Sequence, residues 1–294
     1  ISVSAFLLNR SSDLEISVAS TGKITSAMKM VSAAKLKKSE GMTLNFLPYR
    51  NKLSEALSNY LGSLEEEVSI PLATKREVKR VTLIAFSSSS GLCGVYNANV
   101  IKLFRRTYDS YVKQLGEDQV EVILFGKKIN DYAKKNGIKV NQIYEGLNDN
   151  LSFQLAVELS DKMVQQFLDA TTDQVVLIYN HYRNAGVQVA LHETALPLET
   201  AKASSEMTFD YLVEPSKEEF INALVPKVIR TKFYSVMLDT FTAEHGARMT
   251  AMHIASDNAN TLLQELRTQY NKARQNVITT ELSDIVGGSE ALNK

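Results

Sequence analysis

One cysteine, Cys93, stands among 294 residues, which excludes an internal disulfide and any structural zinc site built on thiolates. Net charge is missing too. Lys plus Arg and Asp plus Glu both number 33, so the overall balance gives no reason to expect nucleic acid or a membrane surface as the main partner. The longest largely apolar run, Val81–Phe86, is far short of the roughly 20 residues that cross a bilayer. The opening Ile1–Leu8 is apolar but has neither the positive flank nor the cleavage site of a signal peptide. Catalytic and metal signatures are absent as well. His181, His192, His245 and His253 fall in separate elements, except that the last two share a helix expected to face solvent or a partner. No HExxH, GxSxG or paired metal spacing occurs.

Glycine and proline are absent from Ala247 to Val286. Along that stretch Met249, Met252, Ala255, Ala259, Leu262, Leu266, Tyr270, Ala273 and Val277 recur at steps of three and four, a heptad seam that predicts a supercoiled helix. Extended back through Phe241, Met237 and Phe233 to Pro226, the helix would be roughly 90 Å long at about 1.5 Å per residue. Such a helix needs a partner.

The other end of the chain offers one. Ser12 followed by Glu15 reads as a capping box that starts a helix. Ile24, Met28, Val31 and Ala34 continue the apolar spacing, and Leu53, Leu57, Tyr60 and Leu64 resume it after Pro48. The proline is expected to kink or split this arm. Between Ile16 and Ser39 the charges are Lys23, Lys29, Lys35, Lys37 and Lys38, with no acidic residue. A solvated face usually mixes signs, so the run suggests an acidic partner.

From Val81 onward, short β-rich runs alternate with helical ones, the pattern of an α/β domain with a largely parallel sheet. Strands are predicted at Val81–Phe86, Val120–Phe125, Lys139–Tyr144, Gln174–Asn180 and Val187–His192, with helices at Asn97–Leu115, Lys128–Asn136 and Leu151–Ala170. The turn Ser87–Gly94 reads SSSSGLCG. It has neither GxGxxG spacing nor the Lys and Ser/Thr pair of a P-loop, which argues against bound nucleotide. Cys93 in that turn reads as a small buried residue. The expected fold is therefore α/β, a Rossmann-like central domain at 69–215 with an antiparallel coiled coil formed by long N- and C-terminal helices at 1–68 and 216–294. Tyr270, Ala273, Val277, Ile278, Leu282 and Ile285 would form an apolar tip beyond the shorter first arm, a stripe that calls for another protein.

Four segments then bear a family resemblance. KITSAMKMVSAAKL (Lys23–Leu36), GLCGVYN (Gly91–Asn97), EHGARMTAMHIASDNA (Glu244–Ala259) and YNKARQNVITTELSDIVGG (Tyr270–Gly288) resemble the gamma subunit of F-type ATP synthases, over nearly the whole chain from about Glu15. The resemblance implies a central rotor shaft inside a ring of alpha and beta subunits, coupling proton flow through a membrane sector to ATP synthesis. It implies no catalytic, cofactor or metal residues and no cofactor in this chain. By position, Met28, Lys29 and Arg248 would meet acidic loops of the catalytic ring, and Arg274, Gln275, Thr279 and Glu281 would meet that ring near its bearing. Tyr211 and Glu214, within Asp210–Pro215, would seat on the membrane ring of proton-carrying subunits. An epsilon-type subunit would dock beside the α/β domain. The implied location is the cytoplasmic face of a bacterial membrane, reached only through partners.

Some positions depart from the family. Ser88 and Ser89 stand where it has an acidic and a basic residue, Val95 and Tyr96 replace a Gly-Phe pair, and the first fourteen residues lack its basic helical start. Two other readings of the residues are a coiled-coil adaptor that transmits no torque and a nucleotide-binding enzyme using the α/β domain.

Overall fold

The computed structural model describes residues 3–62, 70–145, 151–199, 213–214 and 216–292. They form two compact units, one of Ile1–Val31 with Met249–Lys294 and one of Ser32–Arg248. Two long helices, α1 (Val3–Gly62) and α5 (Lys217–Leu292), contribute to both.

The Ser32–Arg248 unit is built on β1 (Val81–Phe86), β2 (Val120–Phe125), β3 (Gln142–Tyr144), β4 (Gln174–Asn184) and β5 (Val187–Leu196). Their order is β3-β2-β1-β4-β5, with the first four parallel and β5 antiparallel to β4. Every residue of the central strand β1 is buried. That explains its unbroken apolar run, because a parallel strand covered on both faces has no reason to alternate.

Alternate residues of the strands feed two cores. Ile84, Phe86, Ile123 and Leu177 pack with Leu159 and Met163 of α4 (Phe153–Leu168) and with Ile229, Phe233 and Met237 of α5. Leu83, Ala85, Val122 and Ile178 pack on the other face with Phe104 of α2 (Tyr96–Leu115) and Ile129 of α3 (Lys127–Lys135). The β2-to-α3 turn depends on Gly126, at φ +92, where an added Cβ would lie 2.2 Å from the Ser87 carbonyl oxygen.

Four expectations about the elements need correcting. Helix α1 starts at Val3 and passes through Ser12, so Ser12 and Glu15 are interior helical residues rather than a start. Val3–Arg10 contains no glycine or proline to stop a helix. Helix α1 also runs on through Pro48, so the proline does not split it in two. A helix-interior proline costs about 3 kcal/mol, but the flanking turns are pinned from the far end of the chain. The Phe46 ring meets Tyr234 edge-on at 4.9 Å, Tyr60 meets Phe220 likewise at 4.9 Å, and Arg50 Nη1 donates to Ser235 Oγ at 2.8 Å. Helix α5 starts at Lys217, upstream of Pro226. Its cap is Ser216, whose Oγ accepts the Glu219 amide at 3.2 Å, a local signal that the apolar periodicity passes over. Finally, β3 begins at Gln142 instead of Lys139, and β4 and β5 run on to Asn184 and Leu196.

In the other unit, α1 and α5 pack together as an antiparallel, coiled-coil-like pair. Arg267 Nε donates to Glu15 Oε1 at 2.8 Å, Gly22 faces Ala259, Thr25 Oγ1 lies 2.9 Å from Ser256 Oγ, and Lys29 Nζ lies 3.3 Å from His253 Nδ1. Rising numbers on one helix meet falling numbers on the other, a register fixed by polar contacts as well as by packing.

Gly246 in α5 gives a direct test of packing in the sheet-bearing unit. Glycine inside a helix costs about 1 kcal/mol relative to alanine, yet a Cβ here would sit 2.9 Å from Cε2 of Tyr182. That ring is held by its hydroxyl donating to Glu40 Oε1 at 2.6 Å. Gly246→Ala is expected to destabilise the chain by about 1–2 kcal/mol, and to become neutral or slightly stabilising in a Tyr182→Ala background. Urea unfolding of the four proteins of this cycle checks the sign change.

Candidate partner-binding surface of the helical pair

The inward face of α1 in the helical unit mixes polar and small residues with a few apolar ones. Glu15, Val18, Gly22, Thr25, Met28 and Lys29 are half-buried, at steps of three and four that keep one face toward α5. At Gly22 an added Cβ would already stand 3.4 Å from the Ala259 Cβ. Small residues therefore let the two backbones approach closely.

The apolar residues of α1 point the other way. Ile24 is 59% and Val31 59% exposed, and Leu14, Ile16 and Met30 are exposed with them. Ile24, Val31 and Ala34 are thus not seam residues, contrary to the expectation from spacing, and only Met28 of that set is half-buried. Helical spacing identifies a stripe but not what covers it. On α5 the seam runs through Met252, Ala255, Ala259, Leu263, Leu266, Tyr270, Ala273 and Val277, which are buried or half-buried. Leu262, expected in the seam, is 45% exposed, and Leu263 takes its place. Tyr270, Ala273 and Val277 are likewise less exposed than a free tip requires, whereas Ile278, Leu282, Ile285 and Val286 are exposed.

The sequence-predicted contact residues are distributed as follows. Lys29 is half-buried and close to His253, while Arg274, Gln275, Thr279 and Glu281 are all exposed on α5. The Thr279 hydroxyl is turned onto its own helix, donating to the Gln275 carbonyl at 2.9 Å. Glu214 is exposed, and Tyr211 lies outside the described residues.

Arg248 differs from the others. In the sheet-bearing unit it is 8% exposed, and its Nη2 donates to Glu244 Oε1 at 2.7 Å and to Ser90 Oγ at 2.7 Å. The EHGAR segment is therefore largely an internal clamp, whose ion pair spans one helical turn and holds the Ser87–Gly94 turn. His245 belongs to the same clamp. It is buried rather than facing solvent, its Nδ1 is 3.4 Å from Arg248 Nη1, and its ring meets Phe241 edge-on at 4.5 Å. Burial, with the positive charges of Arg248 and Lys35, lowers its pKa to about 4.

The turn itself is closed on the protein. The Ser87 amide donates to the Phe125 carbonyl at 2.8 Å and the Ser88 amide to Asn97 Oδ1 at 3.1 Å, so these two amides are not available to cradle a phosphate. Cys93 is buried, accepts from Asn97 Nδ2 at 3.1 Å, and has its thiol pKa pushed up by that burial. It therefore lacks the exposed, thiolate-favouring setting of a nucleophile. Tyr96, the departure from the family pair, is buried with its hydroxyl donating to the Thr240 carbonyl at 3.2 Å. Among the described residues no three His, Cys, Asp or Glu side chains could together hold a metal ion, and no helix is long and apolar enough to cross a membrane.

An antiparallel helix pair with apolar and basic residues turned outward, together with an α/β sheet unit, defines a class of protein that works by contact with other chains. The family model for ATP synthase matches residues 16–292, and the chain is similar throughout to ATP synthase gamma chains. It therefore belongs to the ATP synthase gamma chain family. It is 45% identical over 280 residues to the gamma chain of Bacteroides fragilis, covering 94% of this chain and 96% of that one. It is 46% identical over 278 residues to that of Flavobacterium johnsoniae, with the same coverage of 94% and 96%. Among solved structures, the central stalk and c-ring of the Tetrahymena thermophila mitochondrial ATP synthase contains a chain that matches with a TM-score of 0.59 at 25% identity, covering 79% of this chain and 99% of that one. A chain of the Euglena gracilis mitochondrial enzyme shares the fold at a TM-score of 0.66 and 18% identity, covering 98% and 95%.

The buried His245 generates a pH dependence. The unfolded chain takes up the histidine proton near pH 6.5 and the folded chain only near 4, so the folded state binds fewer protons in between. Its contribution to stability is whole above pH 6.5 and is lost as pH falls toward 4, by about 3 kcal/mol. His245→Gln should flatten that part of the dependence of Tm on pH, and a profile identical to that of the unaltered chain would remove His245 as its source.

Proposed function

We propose that this chain is the central stalk, or rotor, of a rotary ATP synthase, coupling proton flow through a membrane sector to ATP synthesis in a ring of alpha and beta subunits. Family membership supports the assignment, and the structural observation that carries it is the outward placement of Leu14, Ile16, Ile24, Met30 and Val31 on a helix whose inner face is already occupied. Each such side chain gains on the order of 1.5–3 kcal/mol when a partner covers it fully. The chain is a non-catalytic subunit; its work is mechanical. A rod whose sides differ favours a different conformation in each surrounding subunit, and turning it moves those preferences around, which requires only differential contact with each state.

The finer contacts belong to this reading. Met28 and Lys29, with the exposed Lys23, Lys35, Lys37 and Lys38, meet acidic loops of the catalytic subunits, where opposite charge favours the contact. Arg248 can join them only in competition with Glu244 and Ser90, since breaking a buried pair costs about 3–5 kcal/mol. Arg274, Gln275, Thr279 and Glu281 meet the same ring nearer its bearing, with Ile278, Leu282 and Ile285 as the apolar part of that contact. Tyr211 and Glu214 seat on the membrane ring, and an epsilon-type subunit docks beside the α/β domain. The sheet order β3-β2-β1-β4 supports describing that domain as Rossmann-like. The segments 1–68, 69–215 and 216–294 act as arm, base and arm. Attachment to the cytoplasmic face of a bacterial membrane follows from these partners, and no nucleic acid takes part.

Met28→Lys tests the contact with the catalytic ring. An added charge at this half-buried position should lower ATP-driven proton pumping several-fold while the yield of assembled complex changes little. Wild-type pumping by reconstituted vesicles would remove the contact. Deletion of everything after Val277 should lower torque or complex yield and leave the thermal unfolding of the sheet-bearing unit unchanged. Undiminished rotation and yield would remove the bearing assignment. Copurification with partners that have no ATPase activity would favour an adaptor instead of a rotor.

A further inference from the structure

A cavity of about 490 Å³ opens in the sheet-bearing unit among α1, the β4–β5 pair and α5, a volume in the range of small-molecule sites. Part of its wall is apolar, with Leu57, Leu61, Leu198, Val228 and Val236. The rest is polar and charged.

Two of the cavity's carboxylates have close partners. Lys232 Nζ lies 2.9 Å from Glu193 Oε1, and the second oxygen of Glu193 accepts the Tyr179 hydroxyl at 3.1 Å. His181 Nδ1 lies 2.5 Å from Asp239 Oδ2, and the other oxygen of Asp239 accepts the Tyr182 amide at 2.8 Å. Arg50 has only neutral partners, Ser235 Oγ at 2.8 Å and Asn51 Oδ1 at 3.3 Å. The Asp239 carboxylate feels the charge of Arg50, but among the described residues no carboxylate occupies the planar fork of this half-buried guanidinium, which beside an apolar wall matches a carboxylate with two parallel hydrogen bonds. Glu193, Asp239 and the exposed rim residue Glu199 make the surroundings unfavourable for a dianion such as phosphate.

We propose that this cavity binds a small organic monocarboxylate with a short apolar body. Its carboxylate sits on Arg50, and its chain lies against Leu57, Leu198 and Val228. Such a ligand touches α1, α5 and the loop after β5 at once, so it stabilises their packing in proportion to its occupancy. The site is independent of the rotor assignment: nothing in its recognition requires another subunit.

The test is calorimetric titration of the full chain with octanoate, with 1-octanol and octylamine in parallel. Octanoate is expected to bind with a dissociation constant below about 1 mM, and both controls at least tenfold more weakly, the difference expected for a lost charge-assisted hydrogen bond. Arg50→Gln should weaken octanoate binding at least tenfold, while Lys162→Gln, away from the cavity, should leave it unchanged. No heat up to about 10 mM octanoate, equal binding of octanol, or undiminished affinity in Arg50→Gln would each overturn the proposal. If Arg50→Gln does not fold, Ser54→Trp replaces it. Ser54 is exposed on α1 and lines the cavity, so an indole there fills the space; octanoate affinity equal to that of the unaltered chain would again overturn the site.

Discussion

The close approach of α1 and α5 at Gly22 and Ala259 is the constraint on which the helical unit depends. Glycine in a helix costs about 1 kcal/mol relative to alanine, and an added Cβ at Gly22 would meet the Ala259 Cβ at 3.4 Å, ordinary contact, so side chains larger than alanine are what would hold the helices apart. Close approach in turn brings Thr25 within 2.9 Å of Ser256 and lets Arg267 reach Glu15. A seam that on α1 takes Glu15, Gly22, Thr25 and Lys29 beside Val18 and Met28 leaves Ile24, Met30 and Val31 without a place inside. They face outward, and an interaction surface results from the same choice that packs the pair.

The sheet-bearing unit solves a different problem. Its central strands are covered on both faces, one by α4 with parts of α1 and α5 and the other by α2 and α3. Parts of the long helices are therefore core elements of this unit as well as members of the helical pair. The Arg248–Glu244 pair and the buried neutral His245 lie beside a third, smaller core of Cys93, Tyr96, Ala243 and Ala247, where α5 meets the loop after β1. Motif residues can be fixed by such packing as firmly as by a contact with another protein.

A rotor must differ from side to side and hold its own register while its neighbours change shape. The polar contacts between the helices serve the second need, since sliding one helix by a turn would break Thr25–Ser256 and Glu15–Arg267 together. The outward apolar and basic residues serve the first. Neither requirement involves a reactive group, which agrees with a thiol raised in pKa by burial and turn amides already spent on carbonyl and side-chain oxygens.

Much of this was legible in the residues. The parallel strands announced themselves as buried apolar runs, the absence of glycine and proline marked the long second helix, and four long motifs carried the family. The sequence by itself determined which long stretches become helix or strand, because those choices depend largely on local spacing, but not where the long helices begin or whether Pro48 interrupts one. It did not determine which face of α1 is inside. Ile24 and Val31 looked like seam residues, and the seam took Gly22 and Thr25, because burial is decided by the shape of the opposing helix and not by hydrophobicity alone. Pro48 stayed within a helix because Tyr234 and Ser235, nearly two hundred positions away, hold its flanking turns, and Arg248 turned inward because Ser90, 158 positions earlier, joins its local partner Glu244; only the folded chain brings such distant residues together.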